Sequence, residues 1–365
     1  VAEFRRACDT VLRRHGSRVF QAGASDGLAE LRDWLSGWLG KQGVPAAAEE
    51  ITITNGCQQS LDLLAKAMVD SGQAVAVENP IYPGALLPFR QAGARVVPVP
   101  AGREGVDLEA LEAISERQRI RLLLVTPNFQ NPTSATMPDA ARRRLVEIAR
   151  RRQVAIVEND SYGLLRYEGH PQTPLKALAP DEVIYLGSFS KVGFPGLRLG
   201  WCAAPAALSA RLRRAKQATD LHTDHFVQAV MLEFAERGGL ARAVRAVREA
   251  CRRNAATLVQ EAAPRMPEGV RWERPRGGIS AWFTLPQEVD AEAVLARARG
   301  VVFTPGRFFY FHEPQANTLR LSFGNLTPRA IARGVAVLAD AIRAEMRQRA
   351  RAPRRATPGV RLALV

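Results

Sequence analysis

Lysine is scarce in this chain: five residues among 51 basic ones in 365, the rest being arginine. Cysteine is scarcer still. Cys8, Cys57, Cys202 and Cys251 form no C-x-x-C pair and have no histidine at ligand spacing, which argues against a structural zinc, any other metal site or a disulfide framework. No apolar run reaches the 18 residues of a membrane span, so no transmembrane helix is expected. The opening VAEFRRACDTVLRR lacks the apolar core of a signal peptide and reads as an amphipathic helix, making the cytoplasm the expected compartment. It begins with Val1 rather than Met, which leaves open a segment upstream. Internal repeats and a helix-turn-helix pattern are absent. The net charge of +15 would suit nucleic acid. Its arginines, however, are spread along helices, as a coding bias would leave them, and no nucleic-acid partner is expected through this chain. The concentrated run from Arg343 to Arg355 reads as a solvated C-terminal tail.

What is present has the composition of an ordinary globular protein, 47% apolar and 24% charged. Between residues 50 and 205, apolar β-rich runs without polar alternation (Ala74–Glu78, Arg95–Val99, Ile120–Val125, Val154–Glu158, Val183–Leu186, Leu199–Ala203) are separated by helical patterns (Gln58–Asp70, Pro83–Ala92, Pro138–Gln153, Pro205–Ala218). That order implies a largely parallel sheet covered on both faces, an α/β domain. A long helical stretch over 224–263 leads to shorter strands at Val270–Arg274, Ile279–Thr284, Val301–Thr304 and Thr318–Phe323, then a closing helix over Thr327–Arg349. The predicted organisation is a helical segment, 1–45, beside the smaller domain; a large α/β domain, 46–245; a small α+β domain, 246–347; and a basic tail, 348–365.

Ligands of open parallel sheets bind outside the carboxyl ends of the strands. The segments that follow the predicted strands are NPIYPG (79–84), TPNFQNPT (126–133), NDSYG (159–163) and GSFSKVGFPGLRLG (187–200). Together they bring a lysine, an acid, tyrosines, amides and hydroxyls to one rim. Lys191 is the centre of this group, because an arginine-rich chain that keeps a lysine directly after a buried strand points to an amine that can deprotonate and form an imine.

With NGCQQSLDLL (55–64), ENDSYGLLRYEG (158–169) and NTLRLSFGNL (317–326) added, the set resembles the fold-type I pyridoxal-5′-phosphate (PLP) aminotransferases. The subgroup is that of 2-aminoadipate and kynurenine aminotransferases and of the C-terminal domains of MocR-type regulators. The resemblance implies the PLP-dependent transferase fold with a seven-stranded type of sheet, and a homodimer acting on an amino acid and a 2-oxo acid. It implies that Lys191 holds PLP as a Schiff base and then moves the proton. Tyr82 would stack on the ring, Asn131 and Tyr162 bond its 3-oxygen, and Cys57, Gln58, Ser188, Ser190 and Arg198 cradle the phosphate. Arg320 would grip the substrate carboxylate. Plainer roles compete with these: caps for Gln58 and Ser188, core for Tyr82, a surface position for Arg320. Phe308, Phe309 and Tyr310 could line the substrate pocket, but an aromatic run is more often packing.

Two positions depart from the resemblance. The acid that pairs with the pyridine nitrogen falls three residues before the tyrosine, where this chain has Asn159; Asp160 follows, and on chemical grounds Asp160 is expected to act as the acid if the strand end twists, the alternative being that Asn159 faces the ring and the chemistry is slow or different. Ala22 in AGASDGLAELR stands where relatives have a tyrosine that reaches the neighbouring subunit's phosphate. The leading expectation is an aminotransferase. Alternatives are the effector domain of a MocR-type regulator whose winged helix is not in this chain, or another PLP reaction on the same scaffold.

Overall fold

The structure, a computed structural model, describes residues 1–351. Its main sheet comprises β1 (Ile51–Thr54), β2 (Ala74–Asn79), β3 (Arg95–Gly102), β4 (Gly105–Val106), β5 (Ile120–Val125), β6 (Ala155–Asn159), β7 (Val183–Ser188) and β8 (Gly200–Ala203). They lie in the order β1-β8-β7-β6-β5-β2-β3-β4. The run β3-β2-β5-β6-β7 is parallel, and β8 is antiparallel to β7 and to β1. The expected seven-stranded type gains an eighth, two-residue strand, β4, which folds back on β3. A second, antiparallel sheet, in the order β11-β12-β10-β9, contains β9 (Arg271–Trp272), β10 (Ser280–Thr284), β11 (Thr304–Pro305) and β12 (Thr318–Ser322).

The central strands are apolar on both faces because helices cover both. Leu122 and Leu124 of β5 pack with Val157 and Ile184 under the Cys57–Met68 helix, while Leu123 and Val125 pack with Ile156 and Val183 under the Asp139–Arg152 helix. Alternate residues therefore serve opposite layers, as the pleat requires. None of the described helices is long and apolar enough to cross a membrane.

Several expectations need correction. The N-terminal helices Ala2–His15 and Ala29–Gly40 pack with Ile51, Trp201 and Phe234 on the main-sheet side; none of their residues belongs to the small-domain core. Their apolar stripe meets the His225–Glu236 helix instead. The stretch 224–263 is two helices, broken at Gly238, whose φ of 73° belongs to the left-handed region that ends helices. Its second half, Gly239–Ala262, runs unbroken through the expected boundary at residue 246. Val301–Thr304 is not a strand: Val302 is exposed, and pairing begins only at Thr304. The basic run is helical as far as Arg351, closing the Pro328–Arg351 helix; the rest of the predicted tail lies outside the described residues. Elements that escaped the sequence reading include β1, β4 and the Leu108–Arg117, Leu175–Leu178 and Ala291–Arg297 helices.

Beneath the rim lies Arg142, fully buried. Its guanidinium donates to the carbonyls of Met137 (2.9 Å), Thr173 (3.0 Å) and Pro127 (2.9 Å) and to Asn128 Oδ1 (2.8 Å). It thereby ties the loop after β5 to the helix that follows. Arg142→Ala would strand these acceptors in the core, and is expected to cost about 3 kcal/mol or more. Urea unfolding measures this; a loss within about 0.5 kcal/mol, as at an ordinary surface site, would show that the loop is held by something else.

Candidate active site

The carboxyl ends of the parallel strands face the small sheet across a cavity of about 440 Å³, within the range of small-molecule sites. Cys57, Gln58, Tyr82, Asn131, Asn159, Tyr162, Ser188, Ser190, Lys191, Arg198 and Arg320 all line it. The loops after β2, β5, β6 and β7 thus meet as the sequence suggested. Because β8 runs antiparallel, its beginning lies at this rim, and Arg198 stands just before it.

One end of the cavity is built for an anion. β1 leads through Gly56 into the Cys57–Met68 helix, whose first N–H groups have no intrahelical partners. Gly56 has φ 80°, and a Cβ on it would lie 2.9 Å from an Arg198 Nη, so only glycine lets the guanidinium approach the helix start. Arg198 itself is held at φ 51°, an unusual conformation for a residue with a side chain. Its contacts are long: Ser190 Oγ at 3.5 Å, and the carbonyls of Pro195 at 3.3 Å and Asn55 at 3.4 Å. Ser188 Oγ lies 2.9 Å from Ser190 Oγ and receives the Ser190 N–H at 3.1 Å, which folds the turn that carries Lys191.

Lys191 differs from the other buried lysines in its partners, since burial lowers the Lys176 and Lys216 ammonium groups below the ordinary lysine value as well. Lys66 pairs with Asp62 and Lys216 with Asp220, Lys176 donates to the Pro180 carbonyl, and Lys41 is exposed. Burial pushes the Lys191 ammonium below the ordinary lysine value; Arg320 and Arg198 act in the same direction, against Tyr82 and Cys57. Its Nζ lies 5.5 Å from the centre of the Tyr162 ring. Burial raises the Tyr162 phenol to about 12, so it stays protonated and able to donate. Burial also raises the Cys57 thiol, which lies 3.4 Å from Ser161 Oγ and is no thiolate nucleophile near neutral pH.

Across the cavity, β12 presents Arg320. One Nη donates to Asn131 Oδ1 at 2.7 Å, its guanidinium carbon lies 4.8 Å from the centre of the Phe309 ring, and its buried Nε has no partner. An orphaned N–H on a braced guanidinium suits a carboxylate supplied from outside. Phe309, read from the sequence as packing, is the platform under that arginine.

One of the sequence-based roles changes. Asp160, expected to be the acid of the site, is turned out of the cavity. It accepts from Asn128 Nδ2 and the Tyr185 hydroxyl, each at 2.8 Å, and fills the space left by Gly163, where a Cβ would lie 2.3 Å from its Oδ2. Asn159 faces the cavity in its place, as strand alternation requires. Gln58 spends its amide on the Gly84 carbonyl at 2.8 Å, tying down the loop that carries Tyr82. Sequence reasoning missed Ser161, which donates to Asn159 Oδ1 at 2.7 Å. Its position beside Tyr162 in NDSYG was the available signal.

The family described as aminotransferase class I and II matches residues 3–338. The chain is 40% identical to a 2-aminoadipate transaminase of Thermus thermophilus, over 92% of this chain and 85% of that protein. It is 35% identical to aromatic-amino-acid aminotransferase 1 of Thermococcus litoralis, over 93% and 83%. The solved structure of LysN, an α-aminoadipate aminotransferase from Thermus thermophilus complexed with N-(5′-phosphopyridoxyl)-L-leucine, superposes with a TM-score of 0.89 at 37% identity, over 95% of this chain and 89% of that one. A regulator, the probable rhizopine catabolism regulatory protein MocR of Rhizobium meliloti, is 30% identical over 82% of this chain, which spans 61% of the regulator's length. By the match along nearly its whole length and by these relatives, the chain belongs to the class I and II aminotransferase family.

Proposed function

We propose that the protein transfers an amino group from an amino acid to a 2-oxo acid, using pyridoxal 5′-phosphate held covalently by Lys191. The observation that carries this reading is a lysine with a depressed pKa in a cavity flanked by two arginines, one at a helix N-terminus and one with an unpartnered N–H. When bound, the cofactor supplies an aldehyde that captures amines and a conjugated ring that stabilises the carbanion left when the Cα proton departs.

The protein's own groups have distinct tasks. Arg198, Ser188, Ser190 and the start of the Cys57–Met68 helix bind the phosphate, with Arg198 as countercharge. Tyr82, whose ring is half-exposed at the mouth, covers the ring of the cofactor. Asn131 gives its oxygen to Arg320, which leaves its amide N–H to join the Tyr162 hydroxyl as a donor to the 3-oxygen. Arg320 holds the substrate α-carboxylate and so orients the Cα–H bond. Lys191, freed by exchange with the incoming amine, takes the Cα proton and returns it elsewhere on the same frame, a task its lowered pKa favours by favouring the neutral amine.

We further place the protein in the cytoplasm as a homodimer. Four free cysteines suit a reducing compartment. Phe20, tilted against Phe226 at 5.8 Å but largely exposed, leaves apolar surface for a second copy. The similarity to a MocR regulator favours a second reading, an effector domain that binds the cofactor and an amino acid without turnover.

Single-turnover chemistry separates the two. An aminotransferase loaded with cofactor and mixed with its amino donor releases one 2-oxo acid per site, and Lys191→Ala releases none and loses the borohydride-fixed adduct. A spectral shift without 2-oxo acid would support the sensor. Arg320→Gln is expected to lower kcat/KM for amino acids by about 2–3 kcal/mol, roughly 30- to 160-fold, and to leave amines without a carboxylate unaffected. The same variant tests the electrostatics of Lys191. Capture of the cofactor rises with pH as the ammonium deprotonates, through a midpoint below the ordinary lysine value of about 10.4. Removing one repelling cation moves that midpoint upward, as stopped-flow absorbance would show; an unmoved midpoint contradicts the coupling.

A further inference from the structure

The cavity holds three cationic side chains, Lys191, Arg198 and Arg320, and no aspartate or glutamate lines it among the described residues. The carboxylates nearest along the chain are engaged elsewhere. Asp160 is held by Asn128 and Tyr185, and Glu158, fully buried, accepts the backbone N–H groups of Leu175 at 3.0 Å and Lys176 at 2.9 Å. The remaining titratable groups at the cavity are Tyr82, Tyr162 and Cys57. Burial pushes the phenol of Tyr162 and the thiol of Cys57 towards their neutral forms. A nitrogen heterocycle in this space therefore touches cationic and neutral side chains and no carboxylate, Asp160 acting on Cys57 only from behind the wall, which disfavours a protonated ring.

Asn159 sharpens the point. It ends β6 on the main-sheet side of the cavity, across from the strand that carries Arg320. Its Oδ1 is taken by Ser161 Oγ at 2.7 Å, so its NH₂ is the unspent half of the amide. In the cofactor the ring nitrogen is para to the ring carbon that bears the aldehyde, so with that aldehyde bound to Lys191 it would lie on the side of the ring away from the amine. There a donor N–H pairs with a nitrogen lone pair, but would oppose a pyridinium N–H.

Building on the assignment of Lys191 as the cofactor lysine, we propose that Asn159 donates a hydrogen bond to an unprotonated ring nitrogen, so that this protein works with its cofactor in the neutral-pyridine form. The ring is then a weaker electron sink, and removal of the Cα proton leans on Lys191 and Arg320 rather than on ring charge. This reverses the expectation that a neighbouring acid keeps the nitrogen protonated.

The test uses the intact chain loaded with cofactor labelled with ¹⁵N in the ring, loading being established independently by the visible band and borohydride fixation. The bound nitrogen is expected to resonate in the pyridine range for the wild type and to move upfield to the pyridinium range in Asn159→Asp. A wild-type resonance already at the pyridinium position overturns the proposal, whether or not the variant folds. A chain that captures no cofactor refutes the Lys191 assignment, and this inference falls with it.

Discussion

Three like charges share one cavity without a carboxylate to balance them, and much of the surrounding structure follows from that imbalance. Such a site is poised for anionic ligands, and one of its cations can relieve the repulsion by giving up a proton. Only Lys191 can do so, because a guanidinium group is not deprotonated in proteins. The same imbalance that makes the site receptive to a phosphate and a carboxylate thus makes its one amine nucleophilic.

The fold holds these charges in place at some cost. Parallel strands deliver the loops after β2, β5, β6 and β7 to one rim, and the reversal at β8 brings Arg198 back to the same edge. Glycine at position 56 and a left-handed backbone at Arg198 let a guanidinium lie against a helix N-terminus. Arg320 comes from the second sheet and is braced by Asn131 and Phe309. Under the rim, Arg142 and Asn128 secure Asp160 outside the cavity, which leaves the interior free of carboxylates.

Much of this was legible in the sequence, because buried parallel strands read as continuous apolar runs and because a rare lysine after such a strand is conspicuous. The order of the loops then named most of the cavity wall. What could not be read were the directions of side chains where the chain leaves regular structure. Asp160 was favoured as the acid on the expectation of a twisted strand end, yet β6 keeps its alternation, and the pleat and the space over Gly163 turn Asp160 away and present Asn159. The placement of the N-terminal helices was misjudged for a related reason: an amphipathic pattern says that a stripe is buried, not which surface receives it. The break at Gly238 was visible as a glycine pair but gave way to a strong helical period on both sides.

A cavity shaped by uncompensated cations should depend on the anionic parts of its ligands more than on their reactive carbon. The direct measurement is the dissociation constant of pyridoxal 5′-phosphate against that of pyridoxal, which keeps the aldehyde and lacks the phosphate. Binding of pyridoxal weaker by orders of magnitude, with inorganic phosphate competing against the full cofactor, is the predicted result. Equal affinities for the two aldehydes would contradict the account.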